Sequence, residues 1–269
     1  VRATVRQVKG ERLTEAAREA AAEGAEAVVM AGGDGTMSAG AAALAGGDVP
    51  MGILPLGTLN HFARDLGIPT ELEAALAVVA SGIVKRVDVG EANGRVFVNN
   101  ASIGLYPHAV AAREKEQEEK GTAKWLAMCR AGLATLRRFP VVRVTLRLPD
   151  GGARLTTPLV FIGNNRYEMS LFSLGTREAL DGGDLWVYVA VNRGRLGFVR
   201  LGLRAALGRL DQARDFLGVS VPEVTIEDRR RSIRVAFDGE VCHMDAPLVC
   251  RSRPSALPVL VPPPEPAAG

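Results

Sequence analysis

The sequence predicts a protein of two parts, an α/β part followed by an all-β part. In the first part, short apolar runs alternate with helical patterns through short loops, which is typical of a parallel, layered sheet. From residue 84 onward, strand patterns follow one another with few helices, which favours an antiparallel sandwich or barrel. The 269 residues suffice for two modest domains. We expect these domains at 1–96 and 97–251, with 252–262 returning as a last strand of the first and 263–269 disordered.

The elements of the first part follow from the spacing of their apolar residues. Val1 stands inside an alternating pattern, so we expect the natural N-terminus to lie upstream and at least one element to be missing. Strands are predicted over 1–8, 28–30 and 50–54, and helices over 13–23, 37–45, 60–65 and 71–81. The predicted inner faces are Leu13, Ala16, Ala17 and Ala20 on the first helix and Leu72, Ala75, Leu76 and Val79 on the last.

The second part is a series of short strands punctuated by glycine turns. Its first two strands, 84–91 and 95–102, are joined by a hairpin-like turn at 92–94. Two later segments, 107–138 and 193–217, carry helical patterns. Further strands are predicted over 141–148, 154–162, 185–191, 219–226, 232–237, 247–250 and 257–261.

Charge and composition argue against several classes of protein. The formal net charge of +3 argues against general nucleic-acid binding. No apolar run approaches the roughly 18 residues of a membrane-spanning helix, and no secretory signal is present. Cys129, Cys242 and Cys250 are odd in number and scattered, which indicates free thiols in a reducing cytoplasm. We therefore expect a cytoplasmic protein without a nucleic-acid partner.

A glycine-rich turn joins the strand at 28–30 to the next helix. Glycines let backbone N–H groups approach an anion closely, and a helix start adds partial positive charge, so the turn suits a phosphate group. A bare carboxylate at Asp34 would repel phosphate, which favours a divalent cation between the two. The alternative is the ordinary βα turn of any α/β protein.

A second tight turn follows the next strand, at residues 55–58. Loops at the carboxyl ends of neighbouring parallel strands lie along the same edge of a sheet, where ligands bind. The Thr58 hydroxyl and the Asn60 amide can contact a ribose or a phosphate, or they can cap the following helix. Both interpretations stay open for these two residues.

Three motifs in order carry a resemblance to a known family. They are GGDGT at 32–36, PLGTLNHFAR at 55–64 and FDGE at 237–240. Together they resemble the diacylglycerol kinase catalytic family, with the bacterial lipid kinases and the sphingosine kinases as its nearest forms, over nearly the whole chain. The resemblance implies a NAD kinase-like α/β nucleotide-binding domain followed by an antiparallel β-sandwich. It also implies ATP- and Mg²⁺-dependent transfer of the γ-phosphate to a lipid hydroxyl, with diacylglycerol-like substrates first and sphingoid bases next.

The same resemblance implies roles for individual residues. Glu240 matches the proton acceptor, with Asp238 close by. Phosphoryl transfer needs charge neutralisation, positioning and a base for the hydroxyl, which these residue types can supply. The residues implied in ATP binding are Gly32, Gly33, Asp34, Gly35, Thr36, Met37, Ser38, Ala39, Gly57, Thr58 and Asn60.

Metal binding is implied at two places. Asp34 and Asp88 match acidic positions linked to Mg²⁺ and its waters. Some bacterial members bind a structural Mg²⁺ at a turn with two adjacent aspartates. Here Asp181 and Asp184 flank that turn and Gly182 takes the ligand position, so we expect this second site to be weak.

Two further departures from the family leave alternatives open. The Asn-Pro-x-Ser-Gly loop on the family's first strand, which also holds ATP, is missing here, and His61 stands where many relatives have aspartate. The alternatives are a NAD kinase-like soluble kinase, which would be indifferent to lipid vesicles, and a nucleotide-binding module without turnover.

Two amphipathic segments are candidates for contact with a membrane surface. Residues 193–217 place leucines on one stripe with arginines along its flank, and 125–139 shows a similar pattern. The alternative is a core-packed helix with a solvated basic edge. Because a lipid substrate lies in a membrane, we expect a cytoplasmic, peripherally membrane-associated protein. The resemblance also allows a homodimer.

Overall fold

The computed structural model describes residues 2–104, 141–149, 151–169, 174–177, 179–191, 194, 197 and 216–264, with the backbone alone at 168–169 and 174–176. The described helices are α1 (Leu13–Ala22), α2 (Asp34–Leu44), α3 (His61–Asp65) and α4 (Leu72–Ser81), and a 3₁₀ turn at Gly10–Arg12 precedes α1. The first strands are β1 (Val28–Gly32), β2 (Met51–Pro55), β3 (Ile83–Ala92), β4 (Arg95–Phe97) and β5 (Asn100–Gly104). They are followed by β6 (Val142–Leu148), β7 (Gly151–Thr157), β8 (Leu159–Asn164), β9 (Tyr167–Met169), β10 (Leu174–Arg177) and β11 (Leu185–Ala190). The last are β12 (Phe216–Val221), β13 (Glu223–Asp228), β14 (Ser232–Phe237), β15 (Glu240–Asp245) and β16 (Leu248–Val261).

The strands form two large sheets and a two-stranded ribbon. The larger sheet has the order β1-β2-β16-β13-β6-β7, and β3 pairs with β16 and β4. In it, β1, β2 and the end of β16 run parallel, whereas the other pairs are antiparallel. The second sheet, β12-β11-β8-β5-β14-β15, is antiparallel throughout. The ribbon consists of β9 and β10. The predicted α/β part followed by antiparallel sheets is confirmed.

Strand β16 belongs to both parts of the molecule. Near its end Val259 lies opposite Met51 of β2, and near its start Cys250 lies opposite Val224 of β13. The segments predicted as separate strands at 247–250 and 257–261 are therefore one strand, whose register against β3 shifts between Arg253 and Leu257. The domain boundaries themselves stay a prediction.

Two large hydrophobic clusters among the described residues hold the sheets and helices together. The first lies between the α/β end of the larger sheet and its helices and includes Met51, Ile53, Phe62, Val87 and Val259. The second draws on β6, β13 and β16 of one sheet and on β5, β8, β11 and β14 of the other, which makes this part a sandwich. Its largest members include Phe97, Ile103, Leu185, Ile226 and Leu248.

Some element boundaries differ from the predictions. The strand predicted at 1–8 is wrong, because residues 2–9 are irregular and mostly exposed. An alternating pattern forms a strand only beside a pairing partner, and no described strand lies next to these residues. Helix α2 begins at Asp34, three residues before its predicted start, so Asp34 lies in the first helical turn rather than in the loop.

Three segments predicted as single strands are split in two. The stretch 154–162 breaks into β7 and β8 at Pro158, and 219–226 breaks into β12 and β13 at Pro222. Proline interrupts a strand because it has no N–H to donate to a neighbour. The stretch 95–102 breaks into β4 and β5 at 98–99, where the backbone amides are used by a side chain described below. Strands β9, β10 and β15 were not predicted.

The predicted inner face of α4 is partly wrong. Ala75 and Val78 are buried, whereas Leu72 and Leu76 are each 47% exposed. The small side chains of Ala75 and Val78 let α4 pack closely on β2, whereas the larger leucines stay partly exposed. Leu217, predicted within the helix at 193–217, lies in β12 and is 63% exposed.

Several other predictions fall partly or wholly outside the described residues. The segments 107–138 and 125–139, most of 193–217, the end of the tail at 265–269, and Cys129 lie there. Cys242 and Cys250 are free, as expected. Among the described helices, none has the length and apolar character needed to cross a bilayer.

Candidate active site

The two predicted loops meet at the carboxyl ends of β1 and β2. The Leu56 N–H donates to the Gly32 carbonyl oxygen at 3.0 Å, which ties the loops together. Gly57 lies against Gly33 so closely that a Cβ at residue 57 would be 2.5 Å from the Gly33 Cα. Residue 57 must therefore be glycine for the loops to approach in this way.

Helix α2 begins inside the glycine-rich turn. Gly33 is its N-cap residue and its carbonyl accepts the first helical hydrogen bonds, from the Thr36 and Met37 amides. Asp34 lies in the first turn, where its negative charge is favoured by the helix dipole, and its Oδ1 accepts a hydrogen bond from the Phe62 N–H at 3.2 Å. Gly35 is exposed, so the start of the helix is open to an anionic ligand.

Asn60 and Thr58 have different surroundings, although the sequence leaves both as ligands or caps. Asn60 is 7% exposed and has a left-handed backbone with φ of 50°. Its Oδ1 accepts from the Gly57 N–H at 3.0 Å, and its Nδ2 donates to the carbonyl oxygens of Gly57 and Pro55. Asn60 therefore shapes the loop. Thr58 is exposed on the same loop, where its hydroxyl can reach a ligand.

The residues of α2 that were predicted to bind phosphate also differ in their surroundings. Met37 is 2% exposed and belongs to the first core, so only its backbone can serve a ligand. The Ser38 hydroxyl lies 2.6 Å from Asp238 Oδ2, which joins α2 to the turn between β14 and β15. Ala39 and Thr36 line the cleft beside this contact.

All acceptor positions of Asp238 are occupied by protein donors. Its Oδ1 accepts from the Asn99 and Asn100 amides at 2.8 and 2.9 Å, and its Oδ2 accepts from the Val98 amide at 2.9 Å and from the Ser38 hydroxyl. These are the amides that break the predicted strand at 95–102. Burial raises the pKa of Asp238 above its ordinary value, while these hydrogen bonds act in the opposite direction.

Glu240 lies two residues further along and faces the open cleft. Its side chain is 63% exposed, and its Oε2 pairs with Arg95 at 3.0 Å. Its Oε1 is so close to Gly35 that a Cβ there would come within 3.1 Å. The structure therefore places the carboxylate of the predicted base directly at the start of α2, although the two lie far apart in sequence.

A cleft of about 650 Å³ surrounds Glu240. Arg95 lines this cleft, pairs with Glu240 and has its guanidinium 5.2 Å from the Phe237 ring centre. Arg95 is not among the residues predicted from the sequence, because a lone arginine after a hairpin turn carries no signal until the fold brings it to the FDGE turn. The other lining residues not predicted are Gly10, Leu13, Thr14, Arg18, Ala42, Gly94 and Val96.

Asp88 is 1% exposed and is enclosed by backbone and amide donors. Its Oδ1 accepts from the Ser255 amide at 2.7 Å, and its Oδ2 accepts from the Gly183 amide at 2.7 Å and from Asn165 Nδ2 at 3.1 Å. Its backbone N–H donates to the Leu180 carbonyl oxygen. Asp88 therefore lies next to the 181–184 turn, as a shared metal site would require. Its carboxylate, however, is surrounded by amide donors.

The two acidic residues of that turn also have protein partners. Asp181 pairs with Lys85 at 3.0 Å, and Asp184 Oδ2 accepts from the Ser220 hydroxyl at 2.8 Å. A Cβ at Gly182 would lie 2.7 Å from Asn165 Oδ1, which accepts from the Gly182 amide. Across the described part of the chain, no three histidine, cysteine, aspartate or glutamate side chains cluster as a metal site. Metal binding at Asp88, Asp181 and Asp184 stays a prediction.

Comparison with known proteins adds family evidence to this geometry. The family model of the diacylglycerol kinase catalytic domain matches residues 1–92. A protein of Pseudomonas syringae pv. syringae named "Probable lipid kinase YegS-like" is 32% identical over 93% of this chain and 81% of its own length. Against the first curated relatives the match is shorter and spans between 31% and 40% of their lengths.

Solved structures share the fold. A diacylglycerol kinase from Bacillus anthracis superposes with a TM-score of 0.67 at 21% identity, over 96% of this chain and 84% of that one. A yeast NADH kinase in complex with NADH gives a TM-score of 0.53 at 12% identity, over 90% of this chain and 62% of that one. These likenesses concern the fold, and they confirm the predicted NAD kinase-like α/β domain followed by a β-sandwich. The family-model match and the aligned lipid kinase, together with the three motifs, show that the chain belongs to the diacylglycerol kinase catalytic-domain family.

Proposed function

We propose that this chain is the catalytic unit of a lipid kinase that uses ATP and Mg²⁺ to phosphorylate a lipid hydroxyl. The observation that carries the proposal is the position of the Glu240 carboxylate at the start of α2, in the cleft next to the glycine-rich turn. A phosphate site and a base for a hydroxyl are the two parts that phosphoryl transfer needs. Diacylglycerol-like lipids are the first proposed substrates and sphingoid bases the second.

The start of α2 and the two adjoining loops would hold the nucleotide. The open backbone around Gly33 and Gly35 and the positive end of the helix suit the ATP phosphates. The exposed Thr58 hydroxyl lies on the adjoining loop. Arg95 and Arg18 line the cleft and can offset phosphate charge.

Asp34 has the surroundings expected of a residue that binds Mg²⁺. Mg²⁺ in kinases takes one or two carboxylates, with phosphates and water completing its octahedron. Asp34 Oδ1 is fixed by the Phe62 amide, whereas Oδ2 accepts no hydrogen bond from the described residues. When bound, Mg²⁺ would neutralise charge on the phosphate oxygens. Asp88 fits a metal less well, because its acceptor positions are taken by amide donors.

Glu240 would remove the proton of the lipid hydroxyl. As the new O–P bond to the γ-phosphorus forms, the bond to the leaving oxygen of ADP breaks and the hydroxyl proton passes to the Glu240 carboxylate. Arg95 orients that carboxylate through the ion pair. The Asp238 oxygens are engaged by the Ser38 hydroxyl and by the backbone amides of 98–100 rather than by the cleft, so we assign Asp238 to positioning the turn.

The test is transfer of labelled γ-phosphate from Mg·ATP to a panel of lipids in mixed micelles, by the natural protein that contains this sequence. Asp34→Ala and Glu240→Ala serve as variants, and Glu227→Ala, an exposed carboxylate on β13, serves as the control. Label on one lipid, lost in both variants and kept in the control, would support the proposal and identify the substrate.

Two other outcomes would replace the proposal. Label on NAD and on no lipid would favour the NAD kinase-like alternative. ATP binding without transfer to any acceptor would favour a nucleotide-binding module. Contact with a membrane surface, cytoplasmic localisation and a homodimer stay predictions.

A further inference from the structure

Arg177 is a buried cation beside the proposed active site. Its side chain has no exposed surface, and its Nε pairs with Asp65 Oδ2 at 2.7 Å. Its other nitrogens donate to the carbonyl oxygens of Val98 at 2.6 Å and Asn164 at 3.3 Å and to Asn99 Oδ1 at 3.0 Å. A buried ion pair contributes little net stability but can fix one arrangement of the elements around it.

The partners of Arg177 come from separate elements. Asp65 ends α3, Val98 and Asn99 connect β4 to β5, and Asn164 ends β8. The guanidinium also lies 5.8 Å from the Phe62 ring centre and 5.5 Å from that of Tyr167. Arg177 therefore fixes α3 of the α/β part against the β-rich part through a charge pair, hydrogen bonds and ring contacts.

Helix α3 in turn holds the Asp34 carboxylate. The Phe62 amide, which donates to Asp34 Oδ1, belongs to the same five-residue helix as Asp65. So short a helix has little stability of its own, and its orientation depends on tertiary contacts. A shift of α3 would move the Phe62 N–H away from Asp34 and release the carboxylate.

We propose that Arg177 is a positioning residue for Mg·ATP, which anchors α3 through Asp65 so that the Phe62 amide holds Asp34 toward the metal. The inference rests on the proposed function, because that proposal gives Asp34 its role. Arg177 contacts Asp65 and Phe62 of α3 rather than Asp34, so it acts on the Asp34 carboxylate through α3.

The experiment compares Arg177→Met with Asp65→Leu/Arg177→Met in the natural protein. The single variant leaves Asp65 buried without a partner, whereas the double variant replaces the ion pair with apolar side chains and keeps the protein folded. Arg147→Met is the matched control, because it also breaks an arginine–carboxylate pair, but one that joins β6 to β13 in the larger sheet instead of α3 to its neighbours. The readouts are the Mg²⁺ dependence of ATP binding by calorimetry and amide hydrogen exchange in residues 61–66.

Both Arg177 variants are expected to need about 10-fold more Mg²⁺ for half-maximal ATP binding, because a displaced α3 takes the Phe62 amide away from Asp34 and a metal ligand that loses its hydrogen-bond partner binds about 10-fold more weakly. They are also expected to speed exchange in α3, whereas Arg147→Met changes neither readout. The double variant Asp34→Asn/Arg177→Met should bind Mg·ATP no more weakly than Asp34→Asn alone, because both substitutions act through the Asp34 carboxylate.

A folded double variant with unaltered Mg²⁺ dependence and unaltered α3 exchange would overturn the inference. The inference would also be overturned if the effects of Asp34→Asn and Arg177→Met on Mg²⁺-dependent ATP binding were fully additive in the double variant. Neither readout requires a lipid. A natural protein that transfers no phosphate would therefore overturn the proposed function alone.

Discussion

At the scale of single residues, Asp238 and Glu240 show how position decides chemistry. Asp238 lies in the turn between β14 and β15, and Glu240 is the first residue of β15. Asp238 is surrounded by donors from the β4–β5 connection and from Ser38, whereas Glu240 faces the cleft and pairs with Arg95. A carboxylate with filled acceptor positions holds structure, and an exposed one can take a proton.

Glu240→Gln is expected to lower kcat by about 10²–10⁴-fold, because the amide cannot accept the hydroxyl proton. The Kd for Mg·ATP should stay within about threefold, since the phosphates are held by α2 and its loops. Steady-state kinetics and calorimetry measure the two quantities. Glu227→Gln is the control, and an unchanged kcat in Glu240→Gln would remove Glu240 from the mechanism.

The raised pKa of Asp238 predicts a pH dependence of stability. Its carboxyl holds a proton more tightly in the folded protein than in the unfolded chain, so its contribution to the free energy of unfolding is greatest below the unfolded pKa of about 4. That contribution declines as pH rises through the folded pKa. The free energy of unfolding of the natural protein relative to that of Asp238→Asn should therefore fall in denaturant titrations as pH rises above about 4, the unfolded pKa. If the difference in free energy of unfolding between the natural protein and Asp238→Asn were constant or rose with pH, burial would not be the dominant effect on the Asp238 pKa.

At the scale of elements, the site is made by the contact between two loops and a helix start. The β1–α2 and β2–α3 connections touch through Gly33 and Gly57, and Asn60 shapes the second loop. Since the two strands are parallel neighbours, both loops leave the same edge of the sheet. This contact gives the start of α2 its open surface for a phosphate.

Gly57→Ala is expected to weaken Mg·ATP binding at least 10-fold, because its methyl group would overlap the Gly33 Cα and Asn60 Oδ1. Gly24→Ala is a control for backbone strain alone. It places a side chain at a left-handed φ of 87° in open space, which costs about 1 kcal/mol of stability without touching the site. Equal nucleotide affinity in the two variants would mean that the close approach of the loops is dispensable.

At the scale of the whole molecule, the two parts are joined by strand β16 and by buried polar contacts. Asp88 on β3 collects donors from β16, from the 181–184 turn and from the β8–β9 turn. Arg177 and the Ser38–Asp238 contact make similar connections nearer the cleft. The position of Glu240 over α2 therefore depends on contacts that cross from one part to the other.

Asp88→Ala is expected to destabilise the protein by roughly 3 kcal/mol or more, because each buried donor left without a partner costs about 1–3 kcal/mol. Asp181→Ala in the neighbouring turn is the control and should cost less than about 1 kcal/mol, since its ion pair with Lys85 is half-exposed. Calorimetric unfolding without nucleotide measures both. A loss in Asp88→Ala that appears only when Mg²⁺ is present would instead support the metal role predicted for Asp88.

Much of the fold could be predicted because its signals are local. The glycines at 32–35, the alternating strands and the helical spacing of Leu13, Ala17 and Ala20 act over a few residues, and most of these elements form where expected. The errors have local and non-local causes. Pro158 and Pro222 were visible interruptions, whereas the break at 98–99 arises because Asp238, far away in sequence, takes those amides.

Most of the described elements, the family and the residue types of the site could be predicted from the sequence alone, since these depend on composition, spacing and motif. Which acidic residue faces the cleft became clear only from the tertiary structure. The same holds for the role of Asn60 in shaping its loop and for the positions of Arg95 and Arg177 next to the site. The physical reason is that burial and hydrogen bonding depend on neighbours brought together from distant parts of the chain. Glu240 contacts the glycine-rich turn only because the β14–β15 turn is folded against α2.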